Sequence, residues 1–146
     1  MAKQLQIRRG TTAHNTVFTG AIGEMTVDTQ RKDLRLHDGV KQGGYEIPTI
    51  IEQQLPSADN DYTWYIKYSN GWCEQGGQTS SSVSSITLPV EMADTNYTII
   101  MCIENETTPS GVRCIKPSTR ATTSFGIQGG AIGLDWEIKG LYKQGE

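Results

Sequence analysis

The chain has 146 residues, a formal net charge of −3 and only 20% charged residues, a length that excludes a large multi-domain enzyme. Its 13 basic residues are scattered among 16 acidic ones, so no basic stripe is available to follow a nucleic-acid backbone. Ser, Thr and Gly are frequent, which is typical of many short strands and tight turns.

The N-terminal residues lack the apolar segment of a secretory signal. The longest unbroken apolar run covers residues 99–103, whereas a membrane-spanning helix needs about 20 apolar residues. We therefore expect a protein that is made in the cytoplasm without a cleaved signal and does not insert into membranes.

Residues 1–48 alternate short strand-like runs with glycine turns and form the first predicted domain. Leu34 and Leu36 alternate with polar residues and are followed by Asp38-Gly39, a turn dipeptide, and a second turn is predicted over residues 28–33. A block with so few large apolar side chains does not readily support its own core. We expect it to need association.

The predicted linker, residues 49–61, follows a proline and carries an apolar pattern. The spacing i, i+3, i+4 and i+8 favours a short helix, which would be marginal in isolation. Its apolar stripe must therefore pack on the rest of the chain or on copies of itself. The predicted interface for such association between copies consists of Ile47, Ile50, Ile51 and Leu55.

Residues 62–146 form the second predicted domain, which begins with a β-hairpin. Asn70-Gly71 predicts a type I′ turn, in which both central residues have positive φ. Counting outward from this turn places Lys67 opposite Glu74 as a cross-strand ion pair. The same register sets Trp64 and Tyr65 opposite Gly77 and Gly76, so that aromatic rings cover bare backbone.

Five further strands are predicted over residues 83–88, 97–103, 112–116, 122–128 and 131–142. The last alternates apolar and polar residues, which is typical of a strand with one buried face. A hairpin centred on Thr108 would bring Cys102 opposite Cys114. The predicted fold class is all-β.

The cysteines, histidines and glycine-rich segments do not form a recognisable catalytic or metal-binding motif. Cys73, Cys102 and Cys114 have no CxxC spacing, so we expect reduced thiols, and His14 and His37 are too few for a local metal cluster. The glycine groups fit neither a P-loop nor a dinucleotide fingerprint. We expect no metal, no cofactor and no nucleophilic catalysis.

A glycosidase remains the alternative from another class, because two carboxylates at the right separation suffice for it. Glu74, Asp135 and Glu137 are candidates, but each has an ordinary structural role on a polar strand face. Among Trp64, Trp72 and Trp136, at most one is expected to be a sugar-binding platform, because strand aromatics usually lie in cores.

Two segments resemble proteins of bacteriophage fibres. The order of short motifs across the first block is similar to the N-terminal module of tail-fibre and tropism-determinant proteins. The second block resembles the C-terminal β domain that ends many phage tail fibres. The motifs that carry the resemblance are Leu5-Gln6-Ile7-Arg8-Arg9-Gly10-Thr11, Gly23-Glu24-Met25-Thr26-Val27-Asp28, Leu36-His37-Asp38-Gly39 and Trp64-Tyr65-Ile66-Lys67-Tyr68-Ser69-Asn70-Gly71-Trp72.

The resemblance implies a non-enzymatic, trimeric structural subunit of a phage particle, attached to the tail or to the capsid. It implies a β-prism-like N-terminal module for assembly and a C-terminal antiparallel β-sandwich that meets a bacterial surface glycan or protein. The alternative is a small polysaccharide-degrading enzyme of the particle.

The predicted receptor contacts lie at the tip of the Thr108 hairpin, the longest polar connection of the second block. Its uncharged donors and acceptors suit sugar hydroxyls. A rival contact surface is a polar turn predicted over residues 116–123. The receptor-contact candidates are Asn105, Glu106, Thr107, Thr108, Ser110 and Arg113.

Overall fold

A computed structural model describes residues 7–79, 83–103, 116–128 and 133–145. Its elements are mostly β-strands, which confirms the predicted β class, with one short α-helix and one 3-10 turn. The chain divides into two compact units, Met1–Ile51 with Tyr68–Asn70 and Glu52–Lys67 with Gly71–Glu146. Within the described ranges, no helix has the length and apolarity that crossing a membrane requires.

The first unit contains a four-stranded sheet in which β1 pairs with β2 in parallel and the other pairs are antiparallel. A helix α1, Thr12–Val17, follows the first strand; at its start the side chain of Thr11 accepts a hydrogen bond from the backbone of His14. Sequence analysis missed this helix, because six residues carry little periodicity and a threonine cap was its only local signal. In sheet order the strands are β1 (Arg8–Gly10), β2 (Met25–Asp28), β3 (Asp33–Leu36) and β4 (Tyr45–Ile47).

The second unit contains two antiparallel sheets. The larger has the order β5-β6-β7-β12-β9 and the smaller β10-β11-β8. A 3-10 turn, Ala58–Asn60, lies between β5 and β6. The strands are β5 (Ile50–Gln54), β6 (Trp64–Tyr68), β7 (Trp72–Thr79), β8 (Ser85–Thr87), β9 (Thr98–Ile103), β10 (Lys116–Arg120), β11 (Ser124–Gln128) and β12 (Leu134–Leu141).

The core of the second unit is built from both sheets. In β12, buried Leu134, Trp136 and Ile138 alternate with partly exposed polar residues, which confirms the predicted half-buried strand. Phe125 of β11 packs edge-on against Trp136, with ring centroids 5.9 Å apart. The rest of the core cluster is contributed by Ile86, Leu88, Met92, Tyr97 and Ile127.

The predicted linker helix is wrong. Residues 50–54 form strand β5 at the edge of the larger sheet, and Tyr45–Ile47 form β4. Two β-branched isoleucines favour extended backbone, and pairing with β6 supplies partners that an isolated two-turn helix lacks. In a strand, Ile50 and Ile51 point to opposite faces, so the four predicted interface residues do not form a single stripe.

The predicted hairpin register is wrong by one residue. Lys67 pairs with Cys73 rather than with Glu74, and Trp64 lies opposite Gly76. Gly71 has a positive φ of 89° while Asn70 does not, so the turn is not type I′. Lys67 forms its ion pair with Glu52 instead of the predicted Glu74: the Glu52 carboxylate lies 2.8 Å from Lys67 Nζ. Glu74 lies 3.9 Å from Lys139 Nζ.

Most of the polar turn predicted over residues 116–123 is a strand in the structure. Lys116–Arg120 form strand β10, which pairs with β11, so only the residues after it connect the two strands.

Candidate functional sites

One face of the first unit's sheet is apolar and open. Met25, Leu36 and Tyr45 lie directly opposite one another on three adjacent strands, and Val27, Leu34 and Ile47 form the next row. The side chains of residues 25, 36, 45 and 47 are each 42% to 50% exposed. We call these six residues the apolar face.

The opposite face of the same sheet is polar and buried. Thr26, Asp28, Asp33 and Arg35 are each at most 3% exposed. Helix α1 lies against this side: Thr12 Oγ1 donates to Asp28 at 3.0 Å, and the buried Asn15 side chain donates to Val27 O at 3.3 Å. Among the described residues of this unit, no large apolar side chain is fully buried.

The buried carboxyl groups of Asp28 and Asp33 differ in their partners. Burial alone raises the pKa of Asp28, but hydrogen bonds from Arg31 N, Thr12 Oγ1 and Gln30 N, together with the charge of Arg35, outweigh it and lower the pKa. Burial raises the pKa of Asp33, because neither carboxylate oxygen has a hydrogen-bond partner and its nearest cations are 3.5 and 3.9 Å away. Asp33 is therefore the less favourable buried charge.

His37 lies beside this polar layer, with both ring nitrogens in hydrogen bonds. Its Nδ1 accepts a hydrogen bond from Gly20 N at 3.2 Å, so Nε2 carries the proton and donates to Thr26 Oγ1 at 3.1 Å. The ring also contacts Phe18 edge-on. Both ring nitrogens are thus used structurally, and the described residues contain no cluster of three metal-ligating side chains.

The sheet is therefore inverted relative to an ordinary small domain, with polar groups inside and apolar groups outside. Buried polar groups specify a structure through hydrogen bonds but contribute little hydrophobic free energy. Open apolar side chains aligned in rows are typical of an interaction surface. The apolar face is the candidate association site, and Ile47 is the one predicted interface residue that lies on it.

The second unit has a cavity of about 340 Å³ beside the larger sheet. Three aromatic residues, Tyr62, Trp64 and Trp136, line it together with Pro56 and Gly77. Two polar residues complete the lining, Gln78 and Asp135. We call this the aromatic cavity.

Glycines in β7 allow the indole rings to approach the sheet. A Cβ added to Gly76 would lie 2.8 Å from the Trp64 ring and 2.6 Å from Trp136 O. A Cβ added to Gly77 would lie 3.1 Å from the Trp136 ring. Trp64 thus covers bare backbone as predicted, although the glycine beneath it is Gly76.

The loop that carries Tyr62 adopts an unusual backbone. Asp61 and Tyr62 both have positive φ, 52° and 56°, which is uncommon for residues with side chains. Hydrogen bonds hold this conformation: Tyr62 N donates to Ser57 O at 2.9 Å, and the Asn60 side chain donates to Leu55 O at 2.8 Å. The loop therefore holds Tyr62 at the cavity.

The predicted receptor-contact residues lie outside the described residues: Asn105, Glu106, Thr107, Thr108, Ser110 and Arg113. Cys114 and the expected Cys102–Cys114 pairing lie there too. Of the candidate acids, Asp135 lines the aromatic cavity, whereas Glu137 lies 3.1 Å from Lys139 Nζ. The sequence analysis missed Tyr62 and the apolar face; the alternation of Leu34 and Leu36 was the available signal for the latter.

Comparison with known proteins gives a family for the first unit. Residues 5–41 match the family described as the Major tropism determinant N-terminal domain. This segment is similar to that domain. The predicted resemblance to phage fibre and tropism-determinant proteins is thus confirmed.

Longer alignments extend the similarity beyond this segment. The chain is 30% identical over 114 residues to the tail fiber receptor-binding protein of Bordetella phage BPP-1, which covers 70% of this chain and 30% of that protein. Among solved structures, the Major Tropism Determinant M1 variant has 25% identity and a TM-score of 0.31, covering 82% of this chain and 35% of that one.

A fibre of another particle is also similar. The C-terminal part of the R2 pyocin fibre of P. aeruginosa has 19% identity and a TM-score of 0.49, covering 67% of this chain and 27% of that chain. The chain thus spans about a third of the length of the relatives it matches.

Proposed function

We propose that this chain is a structural fibre subunit of a bacteriophage particle that recognises the surface of the host bacterium. The observation that carries the proposal is the 30% identity to a protein named as a tail fiber receptor-binding protein. In this proposal the subunit is assembled in the host cytoplasm and resides in the virion, on the tail or the capsid.

The first unit serves assembly. The apolar face supports this role, because it leaves Met25, Leu36, Tyr45 and Ile47 about half exposed on a unit that buries polar side chains instead. Completing the burial of each of these side chains in an interface would stabilise the assembly by on the order of 1 kcal/mol. This is about half of the value for burying a fully exposed side chain. We propose a homotrimer with a β-prism-like N-terminal module, in which three apolar faces meet and the exposed residues Ile50, Ile51 and Leu55 add to the interface.

The second unit serves recognition, as a β-sandwich knob. The proposed domain boundaries remain 1–48 for assembly, 49–61 for the link and 62–146 for the knob. The hairpin tip with Asn105, Glu106, Thr107, Thr108, Ser110 and Arg113 remains a proposed contact, and the aromatic cavity provides a concave site with polar groups beside aromatic rings.

We propose binding rather than hydrolysis as the activity. A glycosidase needs two carboxyl groups that face each other across the scissile bond. Asp135 is the only carboxylate among the described residues that line the aromatic cavity. A polysaccharide-degrading enzyme is the competing function.

Adsorption of phage to host cells tests the proposal. Particles that lack this chain are expected to adsorb poorly, and excess purified chain should compete with intact particles for host cells. Incubation with host capsule should release no reducing sugar. Normal adsorption without the chain, or sugar release by it, would contradict the proposal.

A further inference from the structure

We propose that the aromatic cavity of the second unit binds a neutral pyranose ring of a surface glycan. Trp64 and Tyr62 provide the stacking surfaces, and Asp135 with Gln78 provides the hydrogen-bonding groups. The inference rests on the proposed host-recognition function and names the ligand class of that unit.

The aromatic walls are suited to a sugar ring. One face of a pyranose presents C–H groups, which pack against the negative face of an aromatic ring. Tyr62 is 52% exposed and Trp64 is half-buried, so both rings can contact a ligand, whereas Trp136 is 5% exposed and belongs mainly to the core. The volume of about 340 Å³ lies at the small end of ligand sites, about 300–1,000 Å³.

The polar groups lie on the same face of the sheet as the Trp64 ring. Asp135 and Gln78 are directly opposite each other on β12 and β7, and Trp64, which pairs with Gly76, lies on the same face of the sheet. The carboxylate of Asp135 can accept a hydrogen bond from one hydroxyl, and the side-chain NH2 of Gln78 can donate to its neighbour, a pairing that suits the vicinal hydroxyls of a sugar.

One carboxylate oxygen of Asp135 lacks a hydrogen-bond partner among the described residues. Its Oδ1 atom is buried without a hydrogen-bond partner, a state that costs free energy unless a donor is supplied. Its cross-strand neighbours on the other side, in β9, include Cys102 rather than a cation.

The charge of the lining selects among ligands. Asp135 is the only charged residue among the described residues lining the cavity, so an anionic sugar such as a uronic acid would be repelled. An organic cation would be attracted by the carboxylate and the rings. We favour a neutral pyranose because just two rings are accessible and two directional polar groups lie beside them, whereas a cation cage surrounds its ligand with rings.

The backbone strain at Tyr62 supports a functional role for the loop. Two successive residues with positive φ are retained beside the cavity, where hydrogen bonds over-determine their conformation. Such strain is typical of positions where a side chain must be presented to a ligand.

Tryptophan fluorescence of the full chain tests the inference directly. A Trp72→Phe background removes the indole that does not line the cavity, so the signal reports Trp64 and Trp136. Galactose, glucose, N-acetylglucosamine, glucuronic acid and choline are titrated separately. We expect saturable binding of at least one neutral sugar, and weakening by about tenfold in Trp64→Ala, measured by calorimetry.

Asp135→Asn and Gln78→Ala are the second variants, because they change partly exposed groups and should preserve the fold. Each is expected to weaken sugar binding severalfold at an unchanged thermal midpoint, while Trp72→Ala leaves affinity unchanged. No saturable binding of any neutral sugar, binding of choline or glucuronic acid alone, or equal affinity in all variants would overturn the inference.

Adsorption to host cells separates this inference from the proposed function. If the wild-type chain binds cells but Trp64→Ala and Asp135→Asn bind them equally, the sugar site is wrong and host recognition stands. If the chain binds a neutral sugar through Trp64 but phage adsorption does not depend on the chain, the proposed function is wrong and the site stands.

Discussion

Gln75 holds the backbone of Val90 through two hydrogen bonds of its side-chain amide. Its Oε1 accepts from Val90 N and its Nε2 donates to Val90 O, both at 2.9 Å. Gln75 is fully buried in β7, and Val90 is 5% exposed. The amide thus replaces a strand partner for a segment that follows β8 and that, at Val90, pairs with none of the described strands.

Replacing Gln75 with leucine is expected to destabilise the protein by about 2–4 kcal/mol, because two buried backbone groups of Val90 lose their partners. Urea denaturation followed by circular dichroism measures the change in free energy of unfolding. Gln53→Leu, at an exposed position of β5, is the matched control and should change stability little. Equal losses of stability in the two variants would contradict the stabilising role of the Gln75–Val90 hydrogen bonds.

The proposed trimer makes a prediction for Leu36. Leu36→Asp places a charge in the middle of the apolar face and should shift the molecular mass measured by light scattering from trimer to monomer. The control is Val40→Asp, which alters an 84% exposed residue outside the sheet and should leave the mass unchanged. A wild-type chain that is already monomeric at micromolar concentration would refute the interface.

The ionisation of Asp33 is expected to make the stability of the first unit depend on pH. Its pKa is raised in the folded state, so its ionisation costs stability as pH rises from about 3.9, the value for an unperturbed aspartate. Asp33→Asn removes this cost and should stabilise the first unit at pH 7, with no gain at pH 3. Thermal melts at both pH values measure the difference.

Asp28→Asn is the contrasting variant on the same sheet. The pKa of Asp28 is lowered in the folded state, so its carboxylate contributes stability above about pH 3.9 that is lost as the pH falls. This variant should therefore be destabilised at pH 7 and resemble the wild type at low pH. The same sign of effect in both variants would contradict the assignment of the two carboxyl groups.

The cysteines should differ in reactivity. Burial raises the pKa of the Cys73 thiol to about 11, so little thiolate forms near neutral pH, whereas Cys102 is exposed. Brief alkylation of the folded chain at pH 8, read by peptide mass spectrometry, should modify Cys102 and spare Cys73. Rapid modification of Cys73 without unfolding would contradict its burial.

Gly76 should not tolerate a side chain. A Cβ there would lie 2.6 Å from Trp136 O, a backbone atom that cannot easily move, so Gly76→Ala is expected to cost about 3 kcal/mol. Gly145→Ala, where nothing lies within 4 Å of the added carbon, is the control. Thermal midpoints of both variants test the close approach of Trp64 and β12 to β7.

Local patterns in the sequence determined several features. The alternation around Trp136 indicated one buried face of β12, because side chains of a strand alternate between its faces whatever its partners. The small number of large apolar side chains in residues 1–48 indicated a unit without an ordinary hydrophobic core. The order of short motifs in the same block indicated the resemblance to tropism-determinant proteins. Each of these depends on residue type and spacing alone.

Other features were decided by tertiary contacts. Residues 50–54 form a strand because β6 offers an edge to pair with, which overrides a helical spacing of isoleucines. The turn at Gly71 shifts the hairpin register by one, and its carbonyl accepts from Tyr142 N at 3.0 Å, a contact from the other end of the unit. Local propensity cannot anticipate such partners.

The two candidate sites show the same division. Alternation in β2 and β3 separates an apolar from a polar face, but only the placement of α1 on the polar face leaves the apolar one open. The aromatic cavity unites Tyr62 and Trp64 with Asp135, which are about 70 residues apart in the chain. Sequence thus determined which side chains were available, and the pairing of β12 with β7 decided which of them meet, because sheet register sets neighbours that chain distance does not.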